Sequence, residues 1–351
     1  MTSTVSTPRI TAWQARVVDV IRETADAHTL VLEPADGCSD GFSYRPGQFL
    51  TVRIPSERPG GAARCYSLCS SPQQDEQLKI TIKRTRDGYG SNWICDNVEE
   101  GHVLEVLKPA GTFVPDSLDS DFLLFAGGSG VTPVMSILKS ALTSGTGLVT
   151  MVYANRDEQN VIFKDELIAL TKSYPGRLNV IHWLESVQGI PEVASLTALA
   201  GPYAEREAFI CGPGPFMDCI EKVLTEVGVP GERIHIERFS SLVTDPFAPI
   251  EIVVDENAAD NKVVEVQING ESSTLVWPAE NKLLDVLLNA GIDAPFSCRE
   301  GSCSACTCIV VEGAVTLDRN EVLEKEDLEE GYILACQARP VSDRLKITYD
   351  E

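Results

Sequence analysis

Four cysteines near the C-terminal end set the tightest limit on what this chain folds into: Cys298, Cys303 and Cys306 lie close together, and Cys336 follows after a long interval. Cys-x4-Cys-x2-Cys with a distant fourth cysteine is the plant-type ligand spacing for a 2Fe-2S cluster, whose irons take thiolates and whose sulfurs take backbone donors. The local sequence Ser297-Cys298-Arg299-Glu300-Gly301-Ser302-Cys303-Ser304-Ala305-Cys306 is rich in small residues. Such a stretch lets main chain wrap a metal group and turn its N–H groups inward. Structural zinc usually takes two Cys-x2–4-Cys pairs, and one such pair is present, so zinc is the lesser alternative. Cys308 opens the apolar run Cys308-Ile309-Val310-Val311 and reads as core, with substitution for a ligand as the other reading.

At 351 residues, 43% of them hydrophobic, the chain has room for two or three domains. Met1 to Pro8 has no apolar or basic run, and no later stretch approaches the length of a membrane span, which predicts a cytoplasmic location. Eleven cysteines, an odd number, fit a reducing compartment, with four on metal and most others packed as small hydrophobes. Formal net charge is −23, and from Ala248 onward 21 acidic residues face 8 basic ones. That balance argues against nucleic acid and anionic membrane as partners and for steering toward a basic protein surface, while any single carboxylate also reads as solvated helix face.

Three periodicities divide the chain. Up to about Pro115, short strand-like runs such as Gln48 to Ile54, Leu78 to Lys83 and Val103 to Leu107 alternate with turns and predict an antiparallel β-barrel. From Asp121, apolar runs at Phe122 to Ala126, Val149 to Tyr153, Val180 to Leu184 and Phe209 to Cys211 alternate with helical segments, the pattern of a parallel sheet covered on both faces. A Pro-bearing stretch from Ser240 to Pro249 separates this from a hairpin signal at Asn269-Gly270, a helix over Lys282 to Ala290 and the cysteine loop, a small mixed fold grasping one helix. The boundaries read as 9–117, 118–240, a linker over 241–250, and 251–351.

Two sets of motifs carry chemistry upstream of the cysteines. Arg64-Cys65-Tyr66-Ser67 sits on a strand whose alternation puts Arg64 and Tyr66 on one face. A guanidinium suits a diphosphate, a phenol packs on a flat isoalloxazine, and Ser67 is placed to bond the flavin edge. Gly88-Tyr89-Gly90-Ser91-Asn92-Trp93 precedes a predicted helix and offers N–H groups and a hydroxyl to phosphate; Ile82 and Lys83, closing the strand before it, are counted with Gly90 and Ser91 as cofactor contacts. The Gly127-Gly128-Ser129-Gly130-Val131-Thr132-Pro133 turn leads from strand to helix, with Thr132 read as cap and Pro133 as first helical residue, aiming free amides at a dinucleotide pyrophosphate. Cys211-Gly212-Pro213, at the end of a later strand, brings Cys211 and bare backbone to a nicotinamide ring; a core thiol is the other reading of Cys211.

Together these motifs resemble the ferredoxin-NADP reductase superfamily fused to a C-terminal plant-type ferredoxin. Within it, the whole chain is similar to the reductase components of 3-ketosteroid 9α-hydroxylases, through Arg64 to Pro72, Leu283 to Leu288, Ala294 to Gly301 and Ile333 to Pro340. The resemblance implies a multidomain α+β protein: an FAD-binding β-barrel, a Rossmann-like NAD domain and a β-grasp 2Fe-2S ferredoxin domain. It also implies electron flow from NADH through FAD and the cluster to a Rieske-type terminal oxygenase that itself holds the steroid. Tyr66, Ser67, Cys211 and Phe239 then fall at the reacting rings, with Phe239 matching the aromatic that covers the flavin in relatives. Relatives often carry Gly where Ser304 stands, and Arg156 is placed to reach a 2′-phosphate although the similar reductases use NADH. Plant-type clusters near about −400 mV and Rieske centres at roughly −150 mV or above leave about 250 mV to drive the electron outward. Two alternatives stay open: another oxygenase as partner, of the phenylacetyl-CoA epoxidase type, or a diaphorase with a ferredoxin-like docking module.

Overall fold

The computed structural model describes residues 12–35, 42–56, 62–239, 241–248, 252 and 260–350. The expected domain start at 9 and the junction at 249–251 lie outside them. Two compact units are resolved, one taking in 13–54 and 64–240 and the other built on 241–351.

The first half of the larger unit is an antiparallel sheet of β1 (Trp13–Thr24), β2 (Ala27–Pro34), β3 (Phe49–Ile54), β4 (Ala62–Ser67), β5 (Leu78–Lys83) and β6 (Val103–Val106), with helix α1 (Tyr89–Asn97) between the last two. The strand order is β4-β3-β6-β1-β2-β5. A bridge between Leu68, just past β4, and Ile80 of β5 joins the two edges and closes the sheet into the expected barrel. Alternation explains the filling: Leu30, Leu32, Leu50, Val52, Ile80 and Ile82 are all buried, whereas Arg53 between them is exposed.

The second half is a parallel sheet of β7 (Phe122–Gly127), β8 (Val149–Asn155), β9 (Leu178–Leu184), β10 (Glu207–Cys211) and β11 (Ile234–Glu237), with helices α2 (Val131–Ser144), α3 (Lys164–Ser173), α4 (Glu185–Gln188), α5 (Val193–Ala200) and α6 (Gly214–Glu226). Its order, β11-β10-β7-β8-β9, puts the first strand in the middle. Every residue of β7 is buried, as a parallel strand covered on both faces requires. Phe122, Leu124 and Ala126 pack in one core with Val134, Leu138 and Leu167 from α2 and α3. Leu123 and Phe125 face a second core with Leu196, Ile220 and Val223 from α5 and α6. The chain runs outward from β7 through β8 and β9, then returns to lay β10 on the other side. The switch point therefore lies between β7 and β10, where open α/β sheets bind ligands beyond the strand ends.

The smaller unit has a mixed sheet of β12 (Lys262–Ile268), β13 (Glu271–Trp277), β14 (Thr307–Glu312), β16 (Tyr332–Leu334) and β18 (Arg344–Thr348), in the order β13-β12-β18-β14-β16. A small pair, β15 (Val315–Leu317) and β17 (Ala338–Pro340), and helices α7 (Leu283–Asn289) and α8 (Lys325–Glu329) complete it. The hairpin falls at Asn269-Gly270, both with positive φ (53° and 77°), the geometry a two-residue turn demands. Leu283, Leu284 and Leu287 of α7 share a core with Val264, Val266 and Ile347. Cys308 belongs to that core, and burial pushes its thiol well above the ordinary range. Among the described residues no helix is long and apolar enough to cross a membrane.

Candidate cofactor sites

At the switch point the two glycine loops interlock. A methyl on Gly130 would stand 2.6 Å from the Gly212 nitrogen and closer still to the Cys211 carbonyl, and one on Gly127 would meet Pro213 at 2.8 Å. Gly128, by contrast, has φ +52° and, among the described residues, nothing within 4 Å of where a Cβ would be, which leaves its backbone open toward the cleft. A cleft of about 850 Å³ opens here. Lys83 from the barrel, Gly127, Gly128, Ser129, Gly130, Gly212, Pro213 and Phe239 line it, with Arg156, Glu185 and Asn155.

Two expectations for the loop are corrected. Thr132 does not cap α2: the helix begins at Val131, and the Thr132 hydroxyl donates back to the Ser129 carbonyl at 3.1 Å. Pro133 accordingly sits inside the first turn. The reason is a tight 3-10 turn over Gly128–Gly130, which starts the coil before the first side chain able to cap it. Cys211 closes β10 fully buried in the core, and burial first, with the Glu237 carboxylate, pushes its thiol far above the usual value. The Gly212 and Pro213 backbone, rather than that thiol, lines the cleft.

Asn155 and Glu237 carry no motif that marks them in the sequence. Asn155 ends β8, 7% exposed, and among the described residues neither oxygen nor nitrogen of its carboxamide has a partner in good hydrogen-bond geometry, the Tyr153 hydroxyl being the polar group that acts with it. The neighbouring Tyr153 hydroxyl donates to Gly128 and Ile162 carbonyls, at 3.2 and 3.5 Å. A buried, unpartnered amide beside a glycine loop fits a polar nucleotide there. A polar residue at the carboxyl end of a parallel strand was the signal available. Glu237 pairs with Cys211 in the β10–β11 register, and burial lifts its carboxyl to about 7. Phe239, two residues on, is 51% exposed at the cleft's edge, free to cover a flat ring.

The flavin candidates gather around β4 and α1. A methyl on Gly90 would come within 2.9 Å of the Arg64 side chain, so the helix start rests directly on the arginine. Burial raises the Tyr66 hydroxyl well above its usual range, and Arg64 beside it opposes that rise. Ser67 is 5% exposed. The helix begins inside the glycine segment and not after it: Gly90 and Ser91 lie within the first turn of α1, and the Ser91 hydroxyl accepts from the Thr85 amide at 3.0 Å. Cys65 approaches the Thr51 hydroxyl at 3.6 Å. Ile82 is fully buried, leaving Lys83 as the member of that pair in the cleft. An arginine, a buried phenol and two small residues at a helix start suit a flavin diphosphate and ring.

In the smaller unit the four cysteine sulfurs form a chain of contacts: Cys298 with Cys303 and Cys336, and Cys336 with Cys306. Backbone amides turn onto them. Glu300 N and Ser302 N lie 3.4 and 3.5 Å from the Cys298 sulfur, Cys298 N 3.4 Å from that of Cys303, and Cys336 N 3.5 Å from that of Cys306. Hydrogen bonds among the thiols pull Cys298 down and push Cys303 and Cys336 up, so the four side chains act on one another as a single cluster of sulfurs. Positive φ at Arg299, Gly301 and Ser304 (57°, 81° and 55°) bends the loop this way. No three His, Cys, Asp or Glu side chains among the described residues converge on a single ion. A two-iron cluster, with two thiolates to each iron, does not call for such a convergence.

The expected linker is tied to this loop. Glu300, 6% exposed, accepts from Val243 N, Thr244 N and Thr244 Oγ1 at 3.0 to 3.1 Å, and Arg299 donates to the Ala248 carbonyl and Asp285. Residues 241–248 thus pack as part of the ferredoxin-like unit.

Comparison with known proteins agrees with this layout. The oxidoreductase FAD-binding domain family matches residues 14–114, the oxidoreductase NAD-binding domain family 124–222, and the 2Fe-2S iron-sulfur cluster binding domain family 266–341. These define an FAD-, NAD- and 2Fe-2S-dependent oxidoreductase. The ferredoxin reductase component of 3-ketosteroid-9-alpha-monooxygenase from Rhodococcus rhodochrous is 58% identical over 94% of this chain and 95% of its own length. A component of the 1,2-phenylacetyl-CoA epoxidase from Escherichia coli is 31% identical over 95% and 96%. Among solved structures, phthalate dioxygenase reductase superimposes with a TM-score of 0.58 at 25% identity, covering 96% of this chain and 98% of that one. The chain belongs to the family of ferredoxin reductase components of 3-ketosteroid-9-alpha-monooxygenases.

Proposed function

We propose that this chain supplies electrons to a Rieske-type terminal oxygenase that 9α-hydroxylates 3-ketosteroids, and that the steroid is held by that partner. When bound, FAD and the cluster convert a two-electron hydride donor into single-electron transfers. The chain's own residues bind and orient. Gly127, Gly128, Ser129, Gly130, Thr132, Gly212 and Pro213 shape the NADH pyrophosphate and nicotinamide cradle; Arg64, Cys65, Tyr66, Ser67, Ile82, Lys83, Gly90 and Ser91 form the flavin site, with Phe239 shielding it and Cys211 packing beneath. Cys298, Cys303, Cys306 and Cys336 take the cluster. The domains on this reading run 9–117, 118–240 and 251–351, with 241–250 as the linker, of which 241–248 pack on the last unit.

The observation that carries the reading is near-full-length identity to a relative named for this role, at almost twice the level shared with the epoxidase component. The test mixes the purified chain, NADH and a 3-ketosteroid 9α-hydroxylase oxygenase component with and without 4-androstene-3,17-dione, following oxygen uptake and product. Steroid-dependent formation of the 9α-hydroxy product is expected. Reduction of flavin and cluster without hydroxylation moves the partner to another oxygenase. The acidic surface around α8, where Glu326, Glu329 and Glu330 are exposed, supports docking to a basic partner. Rising salt then slows oxygenase reduction and spares ferricyanide reduction, whereas equal slowing of both contradicts it.

A further inference from the structure

Gln337 follows the last cluster cysteine and is 3% exposed. Its Nε2 donates to the Cys336 sulfur at 3.4 Å and to the Arg299 carbonyl at 3.1 Å, while its Oε1 accepts from Lys282 Nζ at 3.0 Å. Chemistry fixes the amide's orientation, because an ammonium has only protons to give and a carbonyl only lone pairs. The ammonium thus pulls electron density toward Oε1, and the amide protons pointing at the sulfur become stronger donors. Space is reserved for this side chain: a methyl on Gly301 would meet the Gln337 Cγ at 3.0 Å. Lys282 is held in turn by Asp318 at 3.9 Å, which Arg339 grips at 2.9 Å.

We propose that Gln337 sets the reduction potential of the cluster by hydrogen-bonding the Cys336 ligand, and that Lys282 acts as a positioning and polarising residue through it. This inference rests on the cluster assignment above. Reduction adds negative charge to the cluster and its sulfurs, so a donor to a ligand sulfur stabilises the reduced form more than the oxidised one and raises the potential. A hydrogen bond to a charged acceptor is worth about as much as a tenfold shift in the oxidised-to-reduced ratio, or about 59 mV for one electron.

The test is a spectroelectrochemical titration of the full chain, with iron content and the cluster's visible spectrum as independent checks of loading. Gln337→Leu is expected to lower the midpoint by up to that tenfold shift, Lys282→Met by less, and Lys282→Arg hardly at all. Because Lys282 works through the amide, adding Lys282→Met to Gln337→Leu produces no further fall. An unchanged midpoint in loaded Gln337→Leu overturns the proposal, and additive shifts in the double variant overturn the role of Lys282. If Gln337→Leu fails to load iron, Lys282→Met decides: a fall rescued by Lys282→Arg supports the relay, and no shift refutes it. Iron content near zero in every variant and in the parent chain would fail the cluster reading itself, a result distinguishable from a loaded cluster of unaltered potential.

Discussion

Gly130→Ala tests whether the interlocked glycine loops position the nicotinamide. The added methyl would lie 2.6 Å from Gly212 N, and nearer to the Cys211 carbonyl, where ordinary contact begins at 3.4 Å. Both neighbours are backbone at the end of a buried strand and cannot swing aside as a side chain would. The loops must part by about 1 Å, and overpacking of this kind costs roughly 1–3 kcal/mol of stability. Misplacement of reacting groups by about 1 Å lowers rates on the order of 100-fold. Anaerobic stopped-flow reduction of the bound flavin by NADH reads this directly, as a fall in limiting rate larger than the change in NADH affinity. Flavin content and melting temperature, measured on the same samples, separate loop displacement from unfolding. A limiting rate within threefold of the parent (about 0.7 kcal/mol or less of barrier) in a flavin-loaded variant would falsify the positioning argument.

Other perturbations address the remaining buried polar groups. Lys139, 1% exposed on α2, bonds Asp75 at 2.9 Å and Glu166 at 3.1 Å; Lys139→Met should destabilise by about 3–4 kcal/mol in denaturant unfolding, the low end for a broken buried pair because Asp75 keeps Lys79 at 2.6 Å. Burial works to raise the Asp75 carboxyl, but Lys139, then Lys79 and the Ser71 amide, outweigh it and hold it below the usual value. Its contribution is therefore present above the ordinary carboxylate range and lost as pH falls through the lowered pKa, so in the variant the acid limb of stability moves to higher pH. Glu237 has the opposite sign: burial lifts it to about 7, so its contribution is full at low pH and lost as pH rises toward neutrality. Glu237→Gln should flatten the stability profile between about pH 5 and 8, and an unaltered slope would count against the raised carboxyl. Asn155→Leu removes an unpartnered buried amide, so melting temperature should hold or rise while NADH binding weakens about tenfold; a variant that keeps full NADH affinity excludes Asn155 from the site.

The sequence made the strands of the parallel sheet legible because β7 and β8 are long apolar runs that little else would bury. Asn269-Gly270 announced its hairpin, and the cysteine spacing announced its loop, because in both the backbone geometry is dictated locally. Thr132 misled because a run of glycines conceals which residue first turns helical; φ at Gly128 is a tertiary outcome. Helix α5 went unforeseen: Val193–Ala200 is short and follows Pro191, and its helicity is secured by packing of Leu196 and Ala200 against α6. The stretch 241–248 read as linker because its own residues carry no periodicity. Its order comes from Glu300, more than fifty positions away. Gln337 was likewise visible only as a neighbour of Cys336, since its function depends on where Lys282 and Arg299 arrive.

Buried polar side chains are expensive to keep, and an apolar core of equal volume would be at least as stable. Among the described residues one group of them joins α2 to the barrel (Ser70, Ser71, Ser136, Lys139 and Ser140), and others stand at the cofactor loops: Ser67, Ser91, Thr132 and Asn155 in one unit, Ser297, Glu300 and Gln337 in the other. Their satisfaction differs in a way that follows the chemistry. Around the cysteines, Glu300 and Gln337 have their bonding capacity taken up by the chain itself, fixing the amides that face sulfur before any electron arrives. At the cleft, Asn155 has no partner in good geometry among the described residues, and a Cβ on Gly128 would meet none of them within 4 Å. A resident group rewards a closed network, because every unsatisfied donor around it would be a standing loss. A dinucleotide that comes and goes is served by the reverse: polar groups left open in the free protein carry a desolvation cost that the ligand relieves when it pairs with them, so their bonding capacity is spent on the ligand and not on the chain.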